Sequence, residues 1–347
     1  MGVDLGDLCV KRAITLESLS GRVIAIDAFN VLYQFLASIR QEDGTPLMDF
    51  KGRTTAHLSG LFYRTSKLIQ NGIRPVYVFD GMPSALKEKT REARTEVKRK
   101  AEEKWKQALS EERFEDAKKY AAATSRLTGG MVEESKTLLS GMGIPWIQAP
   151  GEGEAQAAMM VQKGQAYAVG SQDFDALLFG APVLVRNLSI TGRRKVPRQD
   201  RYVMVEPEEI VLRDTLNSLQ MTREKLVWIG ILLGTDFNEG VPRVGPKTAL
   251  KIMKEVDSLD ALRAYVKTKY DYEFEVEPER VMELFLRPSY VEVAENPKWG
   301  AINDSEVTRI MVDEHDFARE RVEKILSDIK LSFREKGAQK KLGDWFE

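Results

Sequence analysis

The chain has very few of the side chains that build disulfide frameworks and zinc sites. It contains one cysteine, Cys9, and two histidines among 347 residues. A single cysteine excludes an internal disulfide, and no cysteine or histidine cluster surrounds it. We therefore expect a protein of a reducing compartment, without structural zinc.

Long apolar runs are also missing. No stretch approaches the roughly 20 apolar residues of a membrane-spanning helix, and no secretory signal opens the sequence. The first residues, Met-Gly-Val-Asp-Leu-Gly, lack the serine or threonine of a myristoylation signal. The sequence therefore predicts a protein without a membrane anchor.

Net charge is nearly absent, because 52 basic residues oppose 53 acidic ones. A basic nucleic-acid-binding face and an acidic metal site in one chain would cancel in this sum. Total charge therefore neither supports nor excludes a nucleic-acid partner. The length fits one large domain or two packed ones.

Short apolar runs rich in Val, Ile and Tyr alternate with helical patterns in the first two thirds of the chain. Strands are predicted at 22–26, 75–79, 165–169 and 182–186, and helices at 31–39, 54–70, 131–139 and 154–163. This alternation predicts an α/β fold, a mostly parallel sheet flanked by helices. In such sheets ligands bind beyond the carboxyl ends of the strands.

The segment 87–119 breaks this pattern, since it is highly charged, poor in apolar residues and free of Gly and Pro. Its composition predicts a helix with too few apolar residues to bury a face. The segment is either a solvated helix with many ion pairs on its surface or a mobile arch, lined with basic residues, over a functional site. Its position just after Asp80 favours the arch.

Seven carboxylates stand at turns after strands or at helix starts, and they are the candidate metal ligands. They are Asp27, Asp80, Glu152, Glu154, Asp173, Asp175 and Asp236. The i, i+2 spacing of Asp173 and Asp175 places both on one face of an extended segment. Glu152 and Glu154 flank Gly153 at the N-terminus of a predicted helix, where the helix dipole favours negative charge.

Carboxylates crowded into one pocket raise each other's pKa or recruit cations. Oxygen ligands without Cys or His select Mg²⁺, or Mn²⁺ in its place, over zinc. Two such ions about 3.5–4 Å apart activate water for phosphodiester hydrolysis. The alternative is that each acid is an ordinary cap or turn residue, and spacing alone leaves both interpretations open.

Five ordered motifs resemble the blocks of the flap endonucleases, a family of structure-specific 5′ nucleases, and the archaeal type is the most similar in length. The motifs are Val23-Ile-Ala-Ile-Asp-Ala-Phe-Asn, Val76-Tyr-Val-Phe-Asp-Gly-Met-Pro, Ala149-Pro-Gly-Glu-Gly-Glu-Ala-Gln-Ala, Gly170-Ser-Gln-Asp-Phe-Asp-Ala-Leu-Leu-Phe-Gly, and Gly234-Thr-Asp-Phe through Gly245-Pro-Lys-Thr-Ala. The resemblance covers nearly the whole chain. It implies a structure-specific 5′ flap endonuclease with 5′–3′ exonuclease activity, acting in DNA replication (Okazaki fragment maturation) and repair.

The resemblance also implies a division of the metal site. Asp27, Asp80, Glu152 and Glu154 would serve mainly one Mg²⁺ ion, and Asp173, Asp175 and Asp236 mainly the other, partly through water. At the base of the arch, Lys87 and Arg94 match the family's two cations over the scissile phosphate. The alternative for that pair is two solvated surface cations.

Further residues match DNA-contacting positions of the family. Tyr33 matches a tyrosine that stacks on the base beside the cleaved bond, the alternative being a core aromatic. Gly2 matches a glycine whose amine approaches the site once Met1 is removed. The loop 41–51 is a candidate wedge at the DNA junction.

The stretch 240–249 resembles the family's helix–turn–helix element, which binds duplex backbone and a K⁺ ion. Pro246 suits the first helical position. The N–H groups of Gly245 and of Lys247, Thr248 and Ala249 can bind a phosphate there. Such contacts read the backbone and not the bases.

The end of the chain resembles the peptide that binds the sliding clamp (PCNA). Its pattern is Gln339, Leu342, Trp345 and Phe346. A short turn would present the last three as one apolar plug, with Trp345 where many family members have Phe. The alternative is that these aromatics dock back on their own domain.

We expect a nuclease core over 1–220 with the arch at about 85–125, a helical DNA-binding region over 221–334, and a flexible clamp-binding tail over 335–347. The substrate would be branched DNA with a 5′ flap, cut by a cytoplasmic, nucleoid-associated monomer. Two rivals remain: a processive exonuclease or bubble-cutting nuclease of the same superfamily, and a non-catalytic DNA-binding scaffold that recruits the clamp. The second would have lost its metal ligands, whereas all seven are present.

Overall fold

The computed structural model describes residues 2–41, 43–111, 113, 116, 120, 121, 123–189, 192–195, 202–293 and 295–343. The strands are β1 Lys11–Ala13, β2 Val23–Asp27, β3 Arg74–Phe79, β4 Trp146–Gln148, β5 Ala168–Gly170, β6 Val183–Arg186, β7 Gly192–Lys195, β8 Tyr202–Val205 and β9 Glu208–Val211. The first helices are α1 Ala28–Ser38, α2 Ala56–Gln70, α3 Glu88–Ser110, α4 Gly129–Gly141, α5 Gly153–Gln162 and α6 Asp175–Leu178. They are followed by α7 Leu212–Leu219, α8 Arg223–Leu233, α9 Pro246–Glu255, α10 Leu259–Tyr270, α11 Pro278–Leu286, α12 Asp304–Thr308 and α13 Arg319–Gly343.

The central sheet has seven strands in the order β1-β9-β6-β5-β2-β3-β4. The five strands from β6 to β4 pair in parallel, and β9 and β1 add an antiparallel edge. This confirms the predicted α/β class. The mostly parallel order means that β2, β3 and β5 end at the same edge.

Alternation along the strands divides the core into two apolar clusters on opposite faces of the sheet. Ile24 and Tyr77 belong to a cluster with α1, α2 and α4, whereas Ala25 and Val76 belong to one with α5 and α8. Both faces of a parallel sheet must be covered by helices, which explains these almost uninterrupted apolar strands.

Several elements differ from the sequence-based expectation. The strand predicted at 165–169 begins only at Ala168, because the N–H of Gln165 still bonds to the carbonyl of Met160 (2.9 Å) and closes α5. The short strands β1, β4, β7, β8 and β9 were not predicted, since three or four residues carry too little periodicity. Lys87 ends a 3-10 turn, Ala85–Lys87, and α3 begins at Glu88.

Candidate metal centre

The carboxyl edge of the sheet brings six of the seven predicted acids to one place by topology alone. Asp27 is the last residue of β2, and Asp80 directly follows β3. Asp173 and Asp175 follow β5, while Glu152 and Glu154 occupy the N-terminus of α5 beside the same edge. Asp236, the seventh, comes from the turn after α8.

A lysine joins two of these acids. The ammonium of Lys87 hydrogen-bonds to Glu152 and lies 3.4 Å from Asp236 Oδ2. It also sits 5.1 Å from the ring of Phe237. Burial opposes the charge of Lys87, but Glu152 and Asp236 outweigh it and hold the pKa of Lys87 above its usual value.

Mutual repulsion links the seven acids electrostatically. Burial, then the charge of Glu152, raises the pKa of Asp80 to about 6. Burial, then the charges of Asp236 and Asp173, raises the pKa of Asp175 to about 7, against the hydrogen bond from Val3.

The pKa values of Asp27 and Glu154 are raised well above their usual range, first by burial and then by neighbouring carboxylates. Four acids that repel each other this strongly either retain protons or recruit positive charge.

Backbone and side-chain donors orient the acids. Asp27 caps α1, and its Oδ1 accepts the N–H of Asn30 (3.1 Å). The Asn30 amide donates to Asp173 Oδ2 (3.0 Å), and Ser171 Oγ donates to Glu154 Oε1 (2.7 Å). Sequence reasoning missed both donors. An asparagine three residues after a capping aspartate, and a serine two before Asp173, were the available signals.

Glycine permits the approach of α5 to β3. The N–H of Gly153 donates to Asp80 Oδ1 at 2.7 Å, and a Cβ on Gly153 would lie 2.7 Å from the same oxygen. Any larger residue at position 153 would therefore push the N-terminus of α5 away from Asp80.

The beginning of the chain also reaches the site. A Cβ on Gly2 would lie 2.7 Å from Asp175 Oδ1 and 2.8 Å from the Cβ of Asp173. The N–H of Val3 donates to Asp175 Oδ1 at 2.7 Å. Gly2 therefore lies against two of the predicted ligands.

The donor set fits hard divalent ions. It consists of carboxylate oxygens, and neither a histidine nor Cys9 is in contact with it within the described ranges. Within these ranges, however, no group of three or more Asp, Glu, His or Cys side chains is arranged so that it could hold a metal ion. An ion held by these acids would keep water ligands, as Mg²⁺ does.

Of the predicted DNA-contacting side chains near the site, that of Tyr33 is described and that of Arg94 is not. Tyr33 on α1 is 38% exposed, so it is not a core aromatic, and the ammonium of Lys98 in α3 lies 4.8 Å from its ring. The Arg94 backbone lies in α3, but its side chain falls outside the described residues. Helix α3 therefore approaches Tyr33 through Lys98, and the 3-10 turn before it places Lys87 in the acidic site.

The predicted helix–turn–helix element has an open helix N-terminus. Gly245 caps α9, Pro246 is its first residue, and no side chain caps it. Lys247 is exposed, and Thr248 follows it in the first turn. One part of the expectation is wrong: the N–H of Ala249 donates to the carbonyl of Gly245 (2.9 Å), so it is used within the helix.

The tail predicted over 335–347 lies only partly within the described residues, and the part that is described is helical backbone. The backbone of α13 extends to Gly343, but side chains from residue 333 onward are not described, nor are residues 344–347. Gln339, Leu342, Trp345 and Phe346 therefore remain predictions. None of the helices in the described part of the chain is long and apolar enough to cross a bilayer.

Known proteins resemble this chain over its whole length. The XPG N-terminal domain model matches residues 5–101, and the XPG I-region model matches residues 143–236. Flap endonuclease 1 of Aeropyrum pernix is 50% identical over 355 residues, covering 100% of both chains. Flap endonuclease 1 of Thermococcus onnurineus is 50% identical over 347 residues, covering 100% of this chain and 99% of the relative.

Solved structures also resemble this chain over nearly its whole length. Flap endonuclease-1 from Methanococcus jannaschii is 40% identical and matches with a TM-score of 0.73, covering 96% of this chain and 100% of that one. The catalytic core of Rad2 in complex with DNA substrate matches with a TM-score of 0.70 at 24% identity, which shows the shared fold. The chain therefore belongs to the flap endonuclease 1 family, metal-dependent, structure-specific nucleases that cut 5′ flaps.

Proposed function

We propose that the seven acids hold two Mg²⁺ ions and that this site hydrolyses a phosphodiester at the junction between a 5′ flap and duplex DNA. The observation that carries the proposal is the bridge made by Lys87, which contacts Glu152 of one predicted ion set and Asp236 of the other. When bound, the ions supply an activated water and stabilise the leaving 3′ oxygen. Mn²⁺ has the same ligand preference and should substitute.

The residues of the chain then have distinct tasks. Lys87, and Arg94 beyond it on α3, would stabilise charge that develops on the phosphate. Tyr33, exposed beside the site, would stack on the base next to the cleaved bond. Ser171 and Asn30 keep Glu154 and Asp173 oriented.

Other parts of the molecule would hold the branched DNA. The open N-terminus of α9, with Gly245, Lys247 and Thr248, would bind duplex backbone, with K⁺ at the turn. The loop 41–51 would contact the junction, since Phe50 is 95% exposed and Met48 is 40% exposed. The arch at about 85–125 would admit only a free 5′ end.

These tasks follow the expected division into a nuclease core at 1–220, a DNA-binding region at 221–334 and a clamp-binding tail at 335–347. We place the protein, as a monomer, in the archaeal cytoplasm at replicating and repaired DNA.

The test is cleavage of an end-labelled double-flap DNA by wild type and Asp173→Ala, with Mg²⁺ or with chelator. We expect metal-dependent cutting at the junction, lost by a factor of about 10³ or more in the variant. A blunt duplex and a 5′-blocked flap should both be cut poorly. Tight flap binding without cleavage in any metal would leave a DNA-binding scaffold, and equal digestion of the blunt duplex would indicate an exonuclease.

The tail has its own test. Replacing Trp345 and Phe346 together by Ala should weaken binding to the sliding clamp at least tenfold, because buried aromatics are frequent interface hot spots. Cleavage of free flap DNA should not change, and Lys341→Ala in the same tail should behave as wild type in both assays. Unchanged clamp binding, measured by calorimetry, would show that the aromatics dock on their own chain.

A further inference from the structure

The turn 234–245 between α8 and α9 carries the proposed ligand Asp236 near its beginning and leads to the proposed duplex-binding helix at its end. Thr235 and Asn238, on either side of Asp236 in the chain, are buried polar residues, exposed by only 9% and 7%. Burying a polar side chain is costly unless its donors and acceptors have partners. The hydrogen bonds of these two residues therefore show what holds the ligand in place.

Thr235 and Asn238 bond to each other and to the backbone around them. The Thr235 hydroxyl donates to Asn238 Oδ1 (2.8 Å) and accepts the N–H of Phe237 (3.0 Å). The Asn238 amide donates to the carbonyls of Ile231 and Glu239, both at 2.8 Å. The N–H of Thr235 also donates to the carbonyl of Asn238 (3.0 Å). The turn is therefore closed around the ligand and joined to the last turn of α8.

Few other side chains could make these bonds. Position 235 requires a hydroxyl, because the same oxygen donates to an amide and accepts from a backbone N–H. Position 238 requires an amide, since one side of the group faces the hydroxyl and the other side faces two carbonyls. An aspartate there would face both carbonyls without a proton to donate. The pair is therefore specified by its hydrogen bonds and not by its volume alone.

Close backbone packing restricts the same turn further. A Cβ on Gly240 would overlap the carbonyl oxygen of Leu233, so the chain can pass here only as glycine. The next residue, Val241, donates its N–H to the carbonyl of Leu232 (2.8 Å). The second half of the turn is therefore packed directly on the end of α8.

The two helices are also joined at their far ends. Lys225, at the start of α8, donates to the carbonyls of Met253 and Val256 at the end of α9 (3.1 and 3.0 Å). Helices α8 and α9 are thus held together by hydrogen bonds at both ends. The N-terminus of α9 therefore has a fixed place relative to Asp236.

We propose that Thr235 and Asn238 are positioning residues: their hydrogen bonds fix the distance from Asp236 to the N-terminus of α9, and that distance sets which phosphodiester is cut. The inference rests on the proposed function, in which Asp236 holds an ion and α9 holds the duplex. Because both are anchored to one closed turn, the duplex is presented to the metal site in a single register. A looser turn would let neighbouring phosphodiesters reach the ions.

Thr235→Val tests the proposal, because it keeps the shape of the side chain and removes the hydroxyl. The products of end-labelled double-flap DNA in Mg²⁺ are resolved to single nucleotides. We expect cutting at the wild-type position to fall about tenfold to a hundredfold, since small misplacements of reacting groups have effects of this size, and we expect new cuts at neighbouring positions. Thr235→Ser keeps the hydroxyl and should cut at the wild-type position.

Hydrogen exchange measures the turn itself, without DNA or metal. The N–H of Phe237 should exchange about tenfold faster in Thr235→Val than in wild type, because its acceptor is lost. Thr65→Val is the matched control, since its buried hydroxyl pairs with Tyr77 (2.7 Å) on the other face of the sheet. This control should lower the thermal midpoint and change neither the cut position nor the exchange of Phe237.

The outcomes separate this inference from the proposed function. Wild type that cuts no flap DNA would refute the proposed function. Faster Phe237 exchange in Thr235→Val with unchanged cut positions would leave the function standing and overturn the positioning role. Unchanged exchange, loss of cutting without new cut positions, or the same new cuts in Thr65→Val would also overturn it.

Discussion

Asp80 illustrates, at the scale of one residue, how the chemistry of the site opposes the stability of the fold. Burial and the charge of Glu152 raise its pKa from 3.8 to about 6, although the N–H of Gly153 and Lys87 act in the opposite direction. The folded protein therefore binds this proton more tightly than the unfolded chain. Without divalent ions, stability contributed by this group is greatest below about pH 4 and is lost as pH rises through 6.

Asp80→Asn should therefore stabilise the metal-free protein at pH 8 while abolishing cleavage. The amide oxygen can still accept the Gly153 N–H, and the repulsive charge is gone. The expected gain is on the order of 2 kcal/mol in the free energy of unfolding, measured by urea unfolding in chelator. Asp260→Asn, an exposed acid outside the site, should change neither stability nor cleavage. Equal or lower stability of Asp80→Asn would mean that Lys87 already neutralises the charge of Asp80.

At the scale of the element, α9 shows a helix whose N-terminus is left open. Pro246 and the glycine cap start the helix without a side-chain partner for its first N–H groups, and no acid lies in its first turn. An anion is therefore the complementary ligand. The other end of the same helix carries Lys254 and provides an internal comparison.

Lys247→Ala should weaken duplex binding and reduce the slope of log affinity against log salt by about 1, because one phosphate contact is lost. The loss should be equal for different DNA sequences. Fluorescence anisotropy over a KCl series measures both quantities. Lys254→Ala in the last turn should leave the slope unchanged, and equal slopes for wild type and Lys247→Ala would exclude this helix end as a phosphate site.

At the scale of the whole molecule, metal binding, proton binding and folding are linked. Asp80 and Asp175, with pKa values of about 6 and 7, retain protons at mildly acidic pH that a divalent ion must displace. Because ligands that bind only the folded state stabilise it by mass action, the effect of the ion should grow with pH.

Saturating Mg²⁺ should therefore raise the thermal midpoint more at pH 8 than at pH 5.5, by scanning calorimetry. KCl of matched ionic strength is the control for general screening. A larger Mg²⁺ effect at pH 5.5 would contradict the assignment of Asp80 and Asp175 to the metal site.

Several local features were predictable because their signals lie within a few residues. Val23–Asp27 and Arg74–Phe79 have the continuous apolar character of buried parallel strands, and the acids that follow them stand where such sheets bind ligands. The edge strand Trp146–Gln148 escaped prediction, since its three residues form a strand only by pairing with β3.

The alternation of strands and helices and the acids at the strand ends could be predicted from the sequence, because propensity, periodicity and capping act locally. The order of the motifs carried the resemblance to the family. Which distant groups come into contact could be seen only in the folded structure. Lys87 reaches Glu152 across 65 positions, His57 reaches Glu134 across 77, and His315 reaches Asp49 across 266. Such contacts depend on how the helices pack on the two faces of the sheet, and packing is a property of the whole chain rather than of any segment.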